Sequence, residues 1–189
     1  MRKFILPGLA GLMGAALMLA SCGSGNVKKT QVKNENTVET ESKSPTYEAL
    51  KAKAESGDVE AQTELGMQYF EKGQKARNEG GEGADYYMEA AKWLFMSLGQ
   101  GDSMSLNLLY VIHQVDDPAV QAYFKKSVSE YLAKAEAGDA EAQYLVGLMY
   151  LNGMGIDEDK VKAEEWIRKA ADQGHQAAQQ WVNEIPYYE

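Results

Sequence analysis

With a single cysteine among its 189 residues, this chain can form neither an intramolecular disulfide nor a cysteine-based metal cluster. It has two histidines, His113 and His175, which leaves little for zinc ligation or imidazole acid–base chemistry. No Ser-x-x-Lys, Gly-x-Ser-x-Gly, His-Glu-x-x-His or phosphate-binding glycine-rich loop occurs. Asp157-Glu158-Asp159 lacks the spaced ligands of a calcium loop and reads as a helix-capping run. The expectation is a protein that is not an enzyme, with no catalytic residue, metal or cofactor. Basic residues are scarce as well: Lys+Arg 19 against Asp+Glu 28 gives a net charge of −9. Such a chain offers no positive field to phosphates, which argues against nucleic acid as a partner. Only 4 Pro with 44% hydrophobic residues excludes collagen-like and wholly disordered chains.

The N-terminus carries an address. After Met1-Arg2-Lys3, the run from Phe4 to Ala20 has no charge and is interrupted by Pro7, Gly8, Gly11 and Gly14. It ends in Leu19-Ala20-Ser21-Cys22-Gly23, with small residues before the lone cysteine. A basic stretch, an apolar stretch and a cleavage-type end make a signal segment. A membrane span needs about 20 apolar residues, and this run is shorter and broken by proline and glycine. The pattern resembles a bacterial lipoprotein signal with its lipobox. That resemblance implies cleavage after residue 21 and acylation of Cys22, which becomes the lipid attachment point. With several acyl chains, at about 0.8 kcal/mol per buried CH₂, the anchor is effectively permanent. Gly23, in place of the aspartate that retains such proteins at the inner membrane, implies the outer membrane facing the periplasm.

Residues 22–45 have Val27, Val32 and Val38 as their only aliphatic side chains, too few to offset chain entropy. They read as a disordered tether with an r.m.s. reach of about 25–29 Å. Its charge is close to balanced, so the acidic excess sits on residues 46–189, where a solvated face or a cationic partner are the alternatives.

Self-similarity organises the rest. Lys53-Ala54-Glu55-Ser56-Gly57-Asp58-Val59-Glu60-Ala61-Gln62 recurs as Lys134-Ala135-Glu136-Ala137-Gly138-Asp139-Ala140-Glu141-Ala142-Gln143, with eight identities in ten. Gly101-Asp102 falls between the copies, and Gly174-His175 opens a further one. After each glycine the residues at offsets 4, 8, 9 and 12 share one arc of a 3.6-residue helix: Ala61, Leu65, Gly66 and Tyr69, then Ala142, Val146, Gly147 and Tyr150. Asp58, Asp102 and Asp139 stand at helix N-caps, and the glycine before each ends the preceding helix. A second helix follows, marked by Trp93 or Trp166 among small residues. A glycine inside a helix costs about 1 kcal/mol relative to alanine, so the return of Gly66 and Gly147 predicts a close crossing by the second helix. Residues 75–82 read as an insertion forming a longer, projecting loop.

Ala142-Gln143, Gly147, Tyr150, Gly153, Gly155, Lys162-Ala163, Trp166, Lys169-Ala170-Ala171 and Gly174 together resemble the Sel1-like repeat, a tetratricopeptide-related helix pair. The resemblance implies an all-α, right-handed solenoid over 46–185, with units at about 57–100, 101–137 and 138–173 plus a partial C-terminal helix. The middle unit departs from the pattern: Tyr110 stands at the helix glycine and His113 at the tyrosine, which leaves its packing open. His113 reads as a core or groove residue and His175 as a helix start. Some secreted members of the family have been linked to β-lactam binding or hydrolysis, with cysteines bridging each helix pair, and those cysteines are missing here.

The arc opposite the buried one on each first helix is the candidate concave face. It places Met67, Met104, Val111, Tyr144 and Leu148 as an apolar strip rimmed by Glu60, Glu64 and Glu141, suited to gripping a segment of a protein partner. Neighbouring repeats, or the tail Val182-Asn183-Glu184-Ile185, could instead cover those residues. The resulting expectation is an envelope scaffold, anchored in a lipid membrane through Cys22 and binding an unknown protein. The alternatives are an envelope hydrolase, and a peptidoglycan or glycan module stacking sugars on Tyr86, Tyr87, Tyr187 and Tyr188.

Overall fold

A computed structural model describes residues 45–184. The signal segment, Cys22, the tether up to residue 44 and residues 185–189 lie outside the described residues. Eight helices follow one another: α1 (Pro45–Glu55), α2 (Val59–Asn78), α3 (Ala84–Gly99), α4 (Ser103–His113), α5 (Pro118–Glu136), α6 (Ala140–Asn152), α7 (Lys160–Asp172) and α8 (Gln176–Glu184). No strand occurs among the described residues. The fold is an all-α repeat solenoid, with α2–α3 and α6–α7 as its tightest hairpins.

Short-range chemistry starts each helix where the spacing predicts. Asp58 accepts from the amide of Ala61 and Asp139 from that of Ala142, both at 2.8 Å, so each aspartate satisfies a donor that the helix leaves open. Asp159 caps α7 by accepting from Lys162 N at 3.1 Å, which gives one of the three clustered acids its role. A glutamine four residues after the cap then reaches back eight residues to the preceding helix. The side-chain amides of Gln62, Gln143 and Gln179 donate to the carbonyls of Ala54, Ala135 and Ala171 at 3.1, 3.0 and 3.1 Å. Gln121 makes the same bond to His113 O at 2.6 Å. Two of these clamps are doubled: Gln100 donates to Gln62 Oε1 at 2.9 Å and Gln173 to Gln143 Oε1 at 2.7 Å.

The repeated helix glycines are points of closest approach. A methyl on Gly66 would lie 2.6 Å from Leu94 of α3, and one on Gly147 would collide with Ile167 of α7 and sit 3.0 Å from the carbonyl of Ala163. The absence of a side chain lets the two helices of each hairpin approach this closely. The middle unit has no such glycine, and Tyr110 points outward at that position. Accordingly α4 and α5 touch only slightly, α4 packs on α3, and α3 reaches across to α5 and α6. Phe95 of α3 meets Phe124 and Tyr131 of α5, each with ring centroids 5.5 Å apart, and Gly99 abuts Leu145 of α6.

The insertion at 75–82 is not a projecting loop. Helix α2 continues through Asn78, so half of the insertion lengthens a helix and only Glu79–Gly83 connects it to α3. Lys75, Ala76 and Arg77 favour helix, and Gly80, with φ +80°, marks where the chain turns.

Candidate functional site

The eight residues expected to line one groove are distributed differently. Tyr144 and Leu148 are 8% and 3% exposed and belong to the main core, against which Trp181 and Val182 of α8 pack. The ring of Tyr144 is stacked on His175, with centroids 4.6 Å apart. Met67 is half-buried on α2. Glu60, Glu64 and Glu141 are exposed, but they do not rim one strip. Glu64 lines an open cleft of 840 Å³ between α1 and α2 with Tyr47, Leu50 and Lys72. Glu141 lines a separate one of 330 Å³ with Gln62, Met96 and Lys134. Met104 and Val111 of α4 remain open, at 54% and 49% exposed.

One rule of packing explains the split. The residue six positions after the repeat glycine faces the N-cap of the next unit's first helix. In the first unit that residue is Thr63, whose hydroxyl donates to Asp102 at 2.8 Å. In the third it is Tyr144 on His175. In the first and third units the face taken as concave therefore meets the cap of the next first helix. At Asp102 this contact becomes a polar knot joining α2, α3 and α4: the Ser97 and Ser105 hydroxyls are hydrogen-bonded to each other, and Ser105 donates to Asp102 at 2.8 Å. Burial pushes the Asp102 carboxyl up. The bonds from Ser105, Thr63 and the amides of Met104 and Ser105 outweigh it and hold the group below its ordinary value. Ser97 and Ser105 could have been suspected from the sequence, as small hydroxyls at otherwise apolar helix positions, but their convergence on Asp102 spans three helices.

Both histidines serve packing. His175 caps α8, its Nδ1 accepting from Ala178 N at 3.2 Å while Nε2 donates to the carbonyl of Gly99 at 2.7 Å. It thus staples the last helix to the end of α3. His113 stands edge-on to Phe124 at 5.0 Å and accepts from Gly155 N at 3.2 Å through Nε2. Burial lowers its pKa, and Nδ1 is buried without a partner, so the ring is held neutral. The proposed stacking platform does not assemble either. Tyr87 is buried beneath Gly73 and Phe70, Tyr86 is half-buried, and Tyr187 and Tyr188 lie outside the described residues. Among the described residues no group of three His, Cys, Asp or Glu could hold a metal ion, and no helix is long and apolar enough to cross a membrane.

Helix α4 is the exception to the packing rule. Three of the five exposed large hydrophobics among the described residues, Met104, Tyr110 and Val111, lie on this one helix. They share a side with Asn107 and form an uninterrupted stripe at helical spacing.

Repeated caps, glycine crossings and glutamine clamps at a period of 36 to 44 residues are features of a helix-pair repeat. The model of the Sel1 repeat matches residues 59–102 and 140–175. The chain belongs to the Sel1 repeat family. Its two matched stretches are α2–α3 and α6–α7 with the caps that follow them, and the degenerate middle unit lies between. A Sel1 repeat protein from Oxalobacter formigenes, of known crystal structure, is similar at 31% identity over 74% of this chain and 98% of that one, with a TM-score of 0.30. No curated protein matches the chain. Sel1 repeats mediate protein–protein interaction, and in this Sel1 chain the repeated side chains identified above are occupied in building the scaffold.

Proposed function

We propose that this Sel1 protein is a lipid-anchored scaffold of the bacterial envelope, held at the outer membrane through acylated Cys22, that docks another protein on helix α4. The observation that carries the docking reading is the open stripe of Met104, Tyr110 and Val111. Each is about half exposed on a helix that has no charged side chain between Ser103 and Ile112. Exposed apolar residues are ordinary when scattered, but a contiguous stripe marks an interaction surface. The lipobox pattern around Cys22 supports the anchor, and the tether gives the helices about 25 Å of reach from it.

Fractionation tests the anchor. Cys22→Ala is expected to abolish incorporation of labelled fatty acid and to move the chain from the membrane to the soluble fraction. Retention with full labelling would refute the lipid reading. A photocrosslinking residue placed at Asn107 of the full chain in cells tests the docking. A discrete protein adduct is expected, reduced at least tenfold by Met104→Asp with Val111→Asp. Both substitutions are on an exposed surface and are expected to change stability by less than about 0.5 kcal/mol each. Adduct yield unaffected by the two substitutions would remove α4 as the docking face.

A further inference from the structure

The stripe on α4 is a stacking position without its helix. In the first unit, the residues six and ten positions after the repeat glycine are Thr63, buried, and Met67, half-buried, and Thr63 meets the cap of α4 through its bond to Asp102. In the third unit they are Tyr144 and Leu148, both buried, the former beneath His175 at the start of α8. In the middle unit they are Asn107 and Val111, and both are exposed. The helix that would cover them by the same rule is α6. Instead, α3 lies against α6, with Gly99 at Leu145. The cap of α6 accordingly makes no bond to α4 of the kind that Asp102 makes to α2, and lines the 330 Å³ cleft beside Gln62 and Met96 instead. Asp139 is exposed and accepts from its own helix at Ala142.

We infer that the partner of α4 is an α-helix from another protein, seated by its first turn as the next unit's first helix would be. Its N-cap side chain reaches Asn107, and uncharged residues of its first turn cover Tyr110 and Val111. This rests on the docking reading above and specifies its mode. Three observations fix the occupant's chemistry. The face continues an interface that α4 and α8 complete elsewhere in the chain. In both of those cases the covering element is a helix start whose cap residue makes the contact, through a carboxylate on Thr63 and an imidazole on Tyr144. The stripe itself carries no charge, so burying a charged residue of the partner against it would cost several kcal/mol. An uncharged first turn avoids that penalty. A strand could pair with none of the backbone here, because helix α4 already uses its own amides and carbonyls internally.

The test uses the full chain in detergent micelles and, as probe, an end-blocked peptide of residues 173–184, the segment whose start covers the matching face of α6. Amide chemical shifts are expected to move at Asn107, Tyr110 and Val111 and to saturate with a Kd in the range of 0.1–1 mM, typical of a small isolated contact. Val111→Asp in the protein, and replacement of the peptide's His175 by alanine, are each expected to weaken binding at least tenfold. Absence of shifts on α4, or shifts indifferent to both changes, would overturn the helix mode. A concentration-dependent dimer of the chain alone, abolished by Val111→Asp, would overturn it in favour of a second copy. Should Asn107 still give a discrete adduct in cells while the peptide fails, the docking reading survives and the helical occupant falls. Should the adduct itself be absent or indifferent to Val111→Asp, the docking reading falls with it.

Discussion

Leu148→Asp is expected to unfold the domain, whereas Val111→Asp, at the same repeat position one unit earlier, is expected to leave it intact. Leu148 is 3% exposed within the main core. Its replacement removes a buried aliphatic side chain, which costs about 2–5 kcal/mol, and places a carboxylate in an apolar core. The combined loss, about 4–6 kcal/mol, is a large share of the 5–15 kcal/mol typical of a folded domain. Val111 is about half in water, where a charge is readily solvated, and the change is expected to stay within about 0.5 kcal/mol. Urea denaturation followed by circular dichroism measures both. Equal midpoints for the two variants would mean that Leu148 is not buried in solution.

The second large effect is expected at the turn between α6 and α7. Gly153 and Gly155 both have positive φ, +65° and +73°, a region in which a side chain costs about 1–2 kcal/mol. Space separates them. A Cβ on Gly153 would find its nearest neighbours at 3.7 Å, while one on Gly155 would lie 2.7 Å from the carbonyl carbon and oxygen of Phe124. Backbone in mid-helix cannot step aside, so overpacking of about 1–3 kcal/mol adds to the conformational cost. Gly153→Ala is therefore expected to lose about 1–2 kcal/mol and Gly155→Ala about 3–4 kcal/mol. The amide of Gly155 also donates to His113, so displacing the turn would leave a second buried nitrogen of that ring without a partner. Equal losses for the two alanine variants would show that the turn does not press on α5.

Much of this architecture was legible because it is decided within a few residues of itself. The caps at Asp58, Asp102 and Asp139 need only their own first turns. The crossings at Gly66 and Gly147 concern two helices joined by one loop, and periodicity alone separates the buried arc of each helix from the others. The insertion after Gly73 was misread because spacing counts residues without showing whether they extend a helix or leave it. Helix propensity at Lys75–Arg77 decided that.

The candidate groove was read by the same angular argument and failed for a different reason. An angle on a helix says which residues share a side, and it is silent on what lies opposite. Asn107, Tyr144 and Thr63 occupy one position of the repeat and have three fates: open, stacked under His175, and bonded to Asp102. What covers Thr63 and Tyr144 is a helix start 39 and 31 residues further along the chain, whereas Asn107 is exposed and, among the described residues, α3 lies beside α6. The sequence by itself determined the helices, their caps, the period and the sites of close crossing, since those follow from local geometry and steric contact between adjacent elements. Only the tertiary structure decided which of the repeated faces stays in water, because burial is set by neighbours distant in the chain, and the unit that has Tyr110 in place of the glycine is the one whose two helices barely touch.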